Sequence, residues 1–459
     1  MTKRLLTDTE YAQEDRPLIG VTTSPESDIA HERVVELIRQ AGGTAVLLPY
    51  DPDEVRLLDT LHRCDGIVII SSGNGHEQQA YDTALCTVSL RFGLPTLTIG
   101  MQMDESLCQT DCRTKGVGAE NLCPDYPIIR LQSVESLTES NTGQLVDLAR
   151  YYHEARIIHD NEIVLDGCIP ARRLTDPLGR PLVPTLVDGG VDYLCIPIVV
   201  DEDAPNLGTH LTQRIDEFKD YLCQEDESVE IASDLDEVFG YHLTGTKAVI
   251  LGGRSEGGIK SKEQLHELAR QQIKYATLRH SSSGHEAMQK GPLTREEKEL
   301  IKTMNELGMT IDVTGSGEDF IREVLEVSTQ PIVATEAVCK GFAKVTEKAL
   351  SDESMKAITD AQGVVMLTLP GRDDDGHALS VLDMARMIIH AEQICGYTNI
   401  GFSTGLHESL PLGLHSPADV IKITMELLRQ GMPAYKISPI LGRNFLCLLA
   451  DNETHIELL

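Results

Sequence analysis

Short apolar runs alternate with amphipathic stretches along most of this 459-residue chain. In its central part, three apolar runs at residues 248–251, 309–313 and 331–334 each stop at Gly, Ser, Thr or Glu. Buried parallel strands read as continuous apolar runs, and the helices between them are apolar on one face. The pattern therefore predicts a parallel α/β fold with its chemistry in the loops that follow the strands.

Residues 1–140 predict a separate domain. Amphipathic helices alternate there with four apolar runs, at residues 17–22, 45–48, 66–70 and 95–99. This is the pattern of a flavodoxin-like parallel sheet. The segments AGGTAVLLP, DGIVI and GLPTLTIGMQ resemble the front half of a class I glutamine amidotransferase domain of the γ-glutamyl hydrolase kind. The chemistry that this resemblance implies needs a cysteine at the strand-to-helix turn. Residues 98–102 read TIGMQ instead, so we expect a truncated domain without amidotransferase activity.

Residues 141–459 predict a second domain, built as a TIM-like (β/α)8 barrel. A linking helix at residues 141–156 leads into it, and two helices at residues 417–429 and 438–449 end the chain. Beyond the central runs, strands are predicted at residues 162–166, 189–198, 364–369 and 398–402.

Composition narrows the functional classes. The formal net charge of −32 argues against nucleic acid and anionic membranes as partners. Eleven cysteines, an odd number, favour a reducing compartment over a disulfide framework. The first residues show no apolar core of a signal peptide, and no segment reaches the ~18 apolar residues of a membrane span. We therefore expect a cytoplasmic protein.

The central stretch also carries a specific resemblance. Four segments, 256–258 (EGG), 275–280 (YATLRH), 292–315 (PLTREEKELIKTMNELGMTIDVTG) and 331–337 (PIVATEA), are similar in sequence and spacing to motifs of the zinc dipeptidases of the renal, or membrane, dipeptidase type. The segment VLDGCIPA stands where that family has its first metal loop, DGHND. The resemblance covers residues 142–452, and it implies a metallopeptidase that cleaves dipeptides with two zinc ions and forms a homodimer.

The metal ligands that the resemblance implies are mostly replaced. The family holds its zinc ions with a histidine and an aspartate of the first metal loop, a bridging glutamate of EGG and two later histidines. The glutamate is kept as Glu256. The other four positions carry Cys168, Pro170, Gly315 and Glu336, of which Pro170 and Gly315 offer no side-chain ligand. We therefore expect the binuclear zinc centre to be lost.

Three functions stay open from the residues. The first is an inactive dipeptidase-like protein without a cofactor, which binds a small peptide-like molecule or a partner. The second is a metallodipeptidase or amidohydrolase whose single zinc or other divalent ion is held by Cys168, Glu256 and Glu336. The third is a metal-free enzyme with Glu256 and His280 as acid and base. If the two glutamates face each other without a metal, repulsion should raise the pKa of at least one of them.

Overall fold

The structure of the chain is a computed structural model. It describes residues 16–23, 28–49, 54–71, 76–101, 128–169, 190–200, 212–218, 220, 229–233, 235–255, 258–279, 292–342, 344–345, 349–405, 411–414 and 419–454. The chain divides into two compact units, Met1–Ile157 and Ile158–Leu459.

The first unit contains a five-stranded parallel sheet. Its strands are β1 (Leu18–Thr22), β2 (Thr44–Leu48), β3 (Gly66–Ile70), β4 (Thr96–Ile99) and β5 (Ile128–Leu131). The helices are α1 (Asp28–Gln40), α2 (Glu54–Leu61), α3 (His76–Arg91) and α4 (Glu139–Asn161), which leads into the second unit. The strand order is β2-β1-β3-β4-β5, the order of the flavodoxin-like fold. The expected fold class of this part is confirmed.

The central strand β3 shows why these residues form a sheet. Its sequence, GIVII, is rich in β-branched residues, and all five residues are buried between the two neighbouring strands. Strand β5 was not predicted. Its sequence, IIRL, is short and is interrupted by the half-buried Arg130, so it lacks a clear apolar run.

In the described residues of the second unit, ten parallel strands form one sheet. They are β6 (Leu165–Asp166), β7 (Tyr193–Val200), β8 (Val229–Ile231), β9 (Lys247–Ser255), β10 (Tyr275–Thr277), β11 (Thr310–Asp312), β12 (Val333–Cys339), β13 (Ala349–Leu350), β14 (Val364–Leu367) and β15 (Ile400–Phe402). Eight of them follow one another around a nearly closed barrel, with β8 paired to β9 and β13 to β12 outside this path. The backbone N–H of Gly167, after the first barrel strand, donates to the carbonyl of Phe402 in the last one at 3.2 Å. The expected TIM-like barrel is confirmed.

Helices follow the barrel strands. They are α5 (Leu235–Thr244), α6 (Lys262–Arg270), α7 (Arg295–Glu306), α8 (Glu318–Val327), α9 (Asp352–Asp360), α10 (Val381–Cys395), α11 (Val420–Arg429), α12 (Ala434–Ile440) and α13 (Arg443–Thr454). Helix α7 begins with a capping box in which Thr294 and Glu297 exchange side-chain-to-backbone hydrogen bonds. Within the described part of the chain, no helix is long and apolar enough to cross a membrane.

The single helix expected at residues 438–449 is wrong, because the chain breaks there into α12 and α13. The break lets the first barrel strand approach closely. The N–H of Leu165 donates to the carbonyl of Leu441 at 2.8 Å, and a Cβ added to Gly442 would lie 2.8 Å from the nitrogen of Leu165. Only glycine permits that approach.

The barrel interior changes from apolar to polar along the strands. Toward their amino ends, Tyr193, Ile250, Tyr275 and Val333 form one core cluster with Phe445 of α13. Because every second residue of a strand faces the same side, the positions two and four residues further on also point inward. Polar side chains occupy such positions in three strands: Thr277 in β10 and Thr335 in β12, each two residues on, and Arg254 in β9, four residues on. The polar groups therefore gather at the carboxyl ends of the strands.

Candidate functional site

A buried guanidinium lies at the carboxyl end of the barrel. The side chain of Arg254 is 8% exposed, and its Nη2 lies 2.6 Å from Oε2 of Glu336 and 3.9 Å from Oδ2 of Asp312. The same nitrogen donates to Oγ1 of Thr335 at 3.2 Å and to Sγ of Cys168 at 3.5 Å. One nitrogen thus faces a carboxylate and a hydroxyl from strand β12 and a thiol from the turn after β6, two distant parts of the chain.

The surroundings keep this guanidinium charged. Burial lowers the pKa of Arg254, but Cys168, Glu336 and Asp312 raise it by more, so that it lies well above its ordinary value. A positive charge is therefore a permanent part of the site.

Asp312, at the end of β11, organises the neighbouring strand ends. Thr314 donates to its Oδ1 through both the backbone N–H (3.0 Å) and the hydroxyl (2.7 Å), and Thr335 donates to Oδ1 through its N–H at 3.1 Å. Oδ2 accepts from the hydroxyls of Thr335 at 2.7 Å and Thr277 at 3.1 Å. Five donors satisfy this carboxylate, which explains how it tolerates complete burial. Because Thr314 also accepts from the N–H of Glu336 at 3.1 Å, the same network orients the partner of Arg254.

A second buried carboxylate, Asp166, holds the turn that carries Cys168. It accepts from the N–H of Thr404 at 2.9 Å, from the hydroxyl of Thr404 and from the N–H of Cys168 at 3.4 Å. The hydroxyl of Ser403 and the N–H of Gly405 both donate to the carbonyl of Cys168, at 3.2 and 3.1 Å. The pKa of Asp166 is raised to about 6, mainly because the carboxyl is buried. The nearby charge of Glu336 also raises this pKa, whereas the hydrogen bonds from Thr404 and Cys168 lower it.

The predicted site residues are only partly described. Cys168 and Glu336 come together around Arg254. Gly315 takes a left-handed backbone conformation with φ of 72°, and nothing lies within 4 Å of a Cβ placed there. Glu256, His280 and Pro170 lie outside the described residues.

The structure gives Glu336 a partner that the sequence analysis did not consider. Its carboxylate lies against the guanidinium of Arg254, whereas Glu256, the glutamate considered as facing it, lies outside the described residues. Arg254 itself was missed, although its position in the segment AVILGGRS carries a signal. Ala248 and Ile250 belong to the interior cluster, so strand alternation also turns Arg254 inward. A charged residue at an interior position needs partners of opposite charge.

A second group of potential metal ligands lies elsewhere in the barrel unit. Carboxylate oxygens of Asp373 and Asp375 and a ring nitrogen of His377 lie within 4.8 Å of one another. The backbone N–H groups of Asp375 and His377 donate to Oδ1 of Asp373 at 3.1 and 2.8 Å. Asp375 also contacts Lys344 at 2.5 Å. These hydrogen bonds and this ion pair explain why the three side chains lie together in an exposed turn, without a bound metal ion.

The sequence profile of the membrane dipeptidase family, peptidase family M19, matches residues 173–457. The chain belongs to the membrane dipeptidase family. Among curated relatives, dipeptidase verJ of Clonostachys rogersoniana is 25% identical over 268 residues, which cover 56% of this chain and 68% of the relative. Dipeptidase aclJ of Aspergillus oryzae is 23% identical over 256 residues, which cover 52% of this chain and 58% of the relative. The chain therefore spans about three fifths to two thirds of the length of these relatives.

Solved structures of other proteins share the fold. A probable dipeptidase, PvdM, from Pseudomonas aeruginosa matches with a TM-score of 0.56 and 15% identity, over 66% of this chain and 99% of that one. A metallopeptidase from Rhodobacter sphaeroides, solved with a phosphinate mimic of the dipeptide L-Ala-D-Ala, matches with a TM-score of 0.54 and 17% identity, over 63% and 99%. At these identities the likeness concerns the fold alone.

Proposed function

We propose that this family member binds a small peptide-like molecule at the carboxyl end of its barrel and does not hydrolyse it. One observation carries the proposal. The guanidinium of Arg254 lies against Glu336 and Cys168, the two residues that stand, by resemblance, at positions of zinc ligands. The positive charge at this point belongs to the protein itself.

The residues present do not fit the family's zinc centre. Zinc in proteins takes thiolate, imidazole and carboxylate ligands. Gly315 provides none, and Cys168 and Glu336 both contact a guanidinium. A divalent ion bound to these two groups would lie within a few ångströms of a fixed positive charge, which solvent screens poorly because the guanidinium is buried. The proposed function therefore includes no catalytic step at a metal ion.

Without a metal, the barrel loses the means to make hydroxide at neutral pH. Metallopeptidases lower the pKa of a bound water from 15.7 to about 7, which requires a firmly held metal ion. What this chain keeps is the mouth of a TIM-like barrel, where ligands of this fold bind. Membership of a dipeptidase family, and the dipeptide mimic bound to one relative by fold, support a peptide-like ligand.

A dipeptide panel tests the proposal. The purified 459-residue chain is incubated with L,L- and L,D-dipeptides, with and without added zinc or manganese, and the products are identified by mass spectrometry. We expect no hydrolysis above background, and at least one dipeptide should raise the melting temperature by mass action without being consumed. Hydrolysis that disappears in the Glu256→Gln variant would overturn the proposal.

The second candidate is a single-ion metallodipeptidase or amidohydrolase. The observation in its favour is that Cys168 and Glu336 come together at one nitrogen of Arg254, as a shared ion would require. Metal analysis of protein purified without chelator separates the two candidates. About one equivalent of zinc per chain would favour the single-ion enzyme, because a protein whose site is filled by a guanidinium should carry none.

A further inference from the structure

The groups around Nη2 of Arg254 form the donor set of a cation site. A thiol sulfur, a hydroxyl oxygen and a carboxylate oxygen lie 3.5, 3.2 and 2.6 Å from this one nitrogen, from Cys168, Thr335 and Glu336 respectively. The carboxylate of Asp312 stands behind them at 3.9 Å. Sulfur and oxygen donors that converge in this way bind borderline-soft divalent ions such as zinc.

We infer that the guanidinium of Arg254 takes the place of a metal ion, and that its removal exposes a latent zinc site formed by Cys168 and Glu336. The inference rests on the proposed metal-free function and extends it. Arg254 makes the site independent of metal supply, because the charge that compensates the buried carboxylate is covalently attached.

The hydrogen bonding of Arg254 supports a role as counter-charge. An arginine that is placed for recognition uses its planar fork of donors on an opposing group. Here the described contacts gather on Nη2, and among the described residues nothing accepts a hydrogen bond from the buried Nε. Among the described residues, the guanidinium is therefore held mainly by the negative charge and the hydrogen-bond acceptors at one end, as a bound cation would be.

Removal of the guanidinium leaves charges that require a replacement. Glu336 and Asp312 are both buried, and a buried carboxylate without a counter-charge must either take up a proton or bind a cation. Zinc meets this requirement when the thiol of Cys168 releases its proton to solvent and binds as thiolate. In the wild type, the fixed charge of Arg254 repels the incoming ion.

The test is zinc binding by variants of the 459-residue chain in buffer without peptide. Arg254→Ala should bind about one zinc per chain, roughly a hundredfold or more tighter than the wild type, because one repelling charge is gone. Arg254→Lys keeps the charge and should bind none. Lys247→Ala is the matched control, since it removes a cation from the other end of the same strand, where the Lys247 ammonium contacts Asp192 at 3.0 Å. Adding Cys168→Ser or Glu336→Gln to Arg254→Ala should abolish the gain.

Each outcome decides the inference. Zinc should raise the melting temperature of Arg254→Ala and leave those of Arg254→Lys and the wild type unchanged. If Arg254→Ala folds but binds no added zinc, the inference is wrong. It is also wrong if Arg254→Ala stays unfolded in the presence of zinc while Arg254→Lys folds. Equal zinc binding by the wild type would also overturn it. Dipeptide hydrolysis by zinc-free wild-type protein would instead contradict the proposed function. It would not affect the comparison of zinc binding between the Arg254 variants and the wild type.

Discussion

Nη2 of Arg254 lies 2.6 Å from Oε2 of Glu336, and the two side chains are only 8% and 0% exposed. Removal of one partner of such a pair leaves the other charge buried and uncompensated, which typically costs about 3–5 kcal/mol. We therefore expect Glu336→Gln to lower the free energy of unfolding by about 3 kcal/mol or more. Urea denaturation measures this directly.

The control for that variant is Glu426→Gln. Glu426 is also buried and also contacts an arginine, but the side chain of Arg429 is 43% exposed, so solvent compensates its charge. This variant should cost clearly less than Glu336→Gln. Equal effects would mean that the burial of Arg254 is energetically unimportant.

Asp166 should make stability depend on pH. Burial raises its pKa from 3.8 to about 6, so the folded protein binds this proton more tightly than the unfolded chain does. The stabilisation is complete below pH 3.8 and is lost as pH rises through about 6. Each unit of pKa shift corresponds to ~1.4 kcal/mol, so Asp166 should lower the free energy of unfolding by about 3 kcal/mol as the pH rises across this window.

Subtraction isolates the contribution of Asp166 from those of other carboxyls. The unfolding free energy of Asp166→Asn, measured between pH 4 and 7, is subtracted from that of the wild type. The difference should fall with rising pH. The same subtraction made in Thr404→Val proteins should show a larger fall, because this change removes a hydrogen bond that lowers the pKa of Asp166. A difference that rises with pH would contradict the assignment.

Gly252 should resist even the smallest side chain. A Cβ added there would lie 2.2 Å from Cζ of Tyr275, whose ring packs edge-on against Phe445 with centroids 5.8 Å apart. Gly252→Ala should therefore destabilise by about 1–3 kcal/mol or more in chemical denaturation. Gly143→Ala, in helix α4 with nothing within 4 Å of its Cβ, should instead stabilise by about 0.5–1 kcal/mol. If Tyr275→Leu fails to reduce the cost of Gly252→Ala, the clash is not its cause.

The first unit should release no glutamate from a γ-glutamyl substrate. The turn after β4 contains Gly100 in a left-handed conformation with φ of 71°, where an amidotransferase mechanism needs a cysteine. A Cβ there would lie 2.9 Å from the carbonyl oxygen of Ser71, so Gly100→Cys should not restore activity. Release that is lost on replacement of Cys108, Cys112 or Cys123, which lie outside the described residues, would contradict this expectation.

Most of the fold could be predicted because burial in a parallel sheet leaves a strong signal. Strand β3 was predicted at its observed bounds, Gly66–Ile70, and every residue of β3 and β14 is buried as its apolar run requires. The errors fall where tertiary contact overrides the local pattern. Nothing in the apolar sequence near Gly442 shows that another strand must approach its backbone.

The candidate site could be predicted only in part. The sequence predicts that Cys168 and Glu336 lie close together, because one follows strand β6 and the other lies within strand β12 of the same barrel. What they contact does not follow, because the reach of the Arg254 side chain across the barrel depends on three-dimensional placement. Three of the five donors on Asp312 could not be predicted for the same reason, since they belong to Thr277 and Thr335, which are 35 and 23 residues away in sequence.

The seam of the barrel has a consequence for synthesis of the protein. The contacts that join its first and last strands, such as that of Thr404 with Asp166, span 238 residues. At ~5–20 residues per second, a ribosome needs about 12–50 s to make that length. Throughout this time the first barrel strand of the nascent chain has one unpaired edge, and an unpaired edge accepts strands from other chains. The yield of native protein should therefore depend on how quickly translation and chaperones bring the last strand to the first.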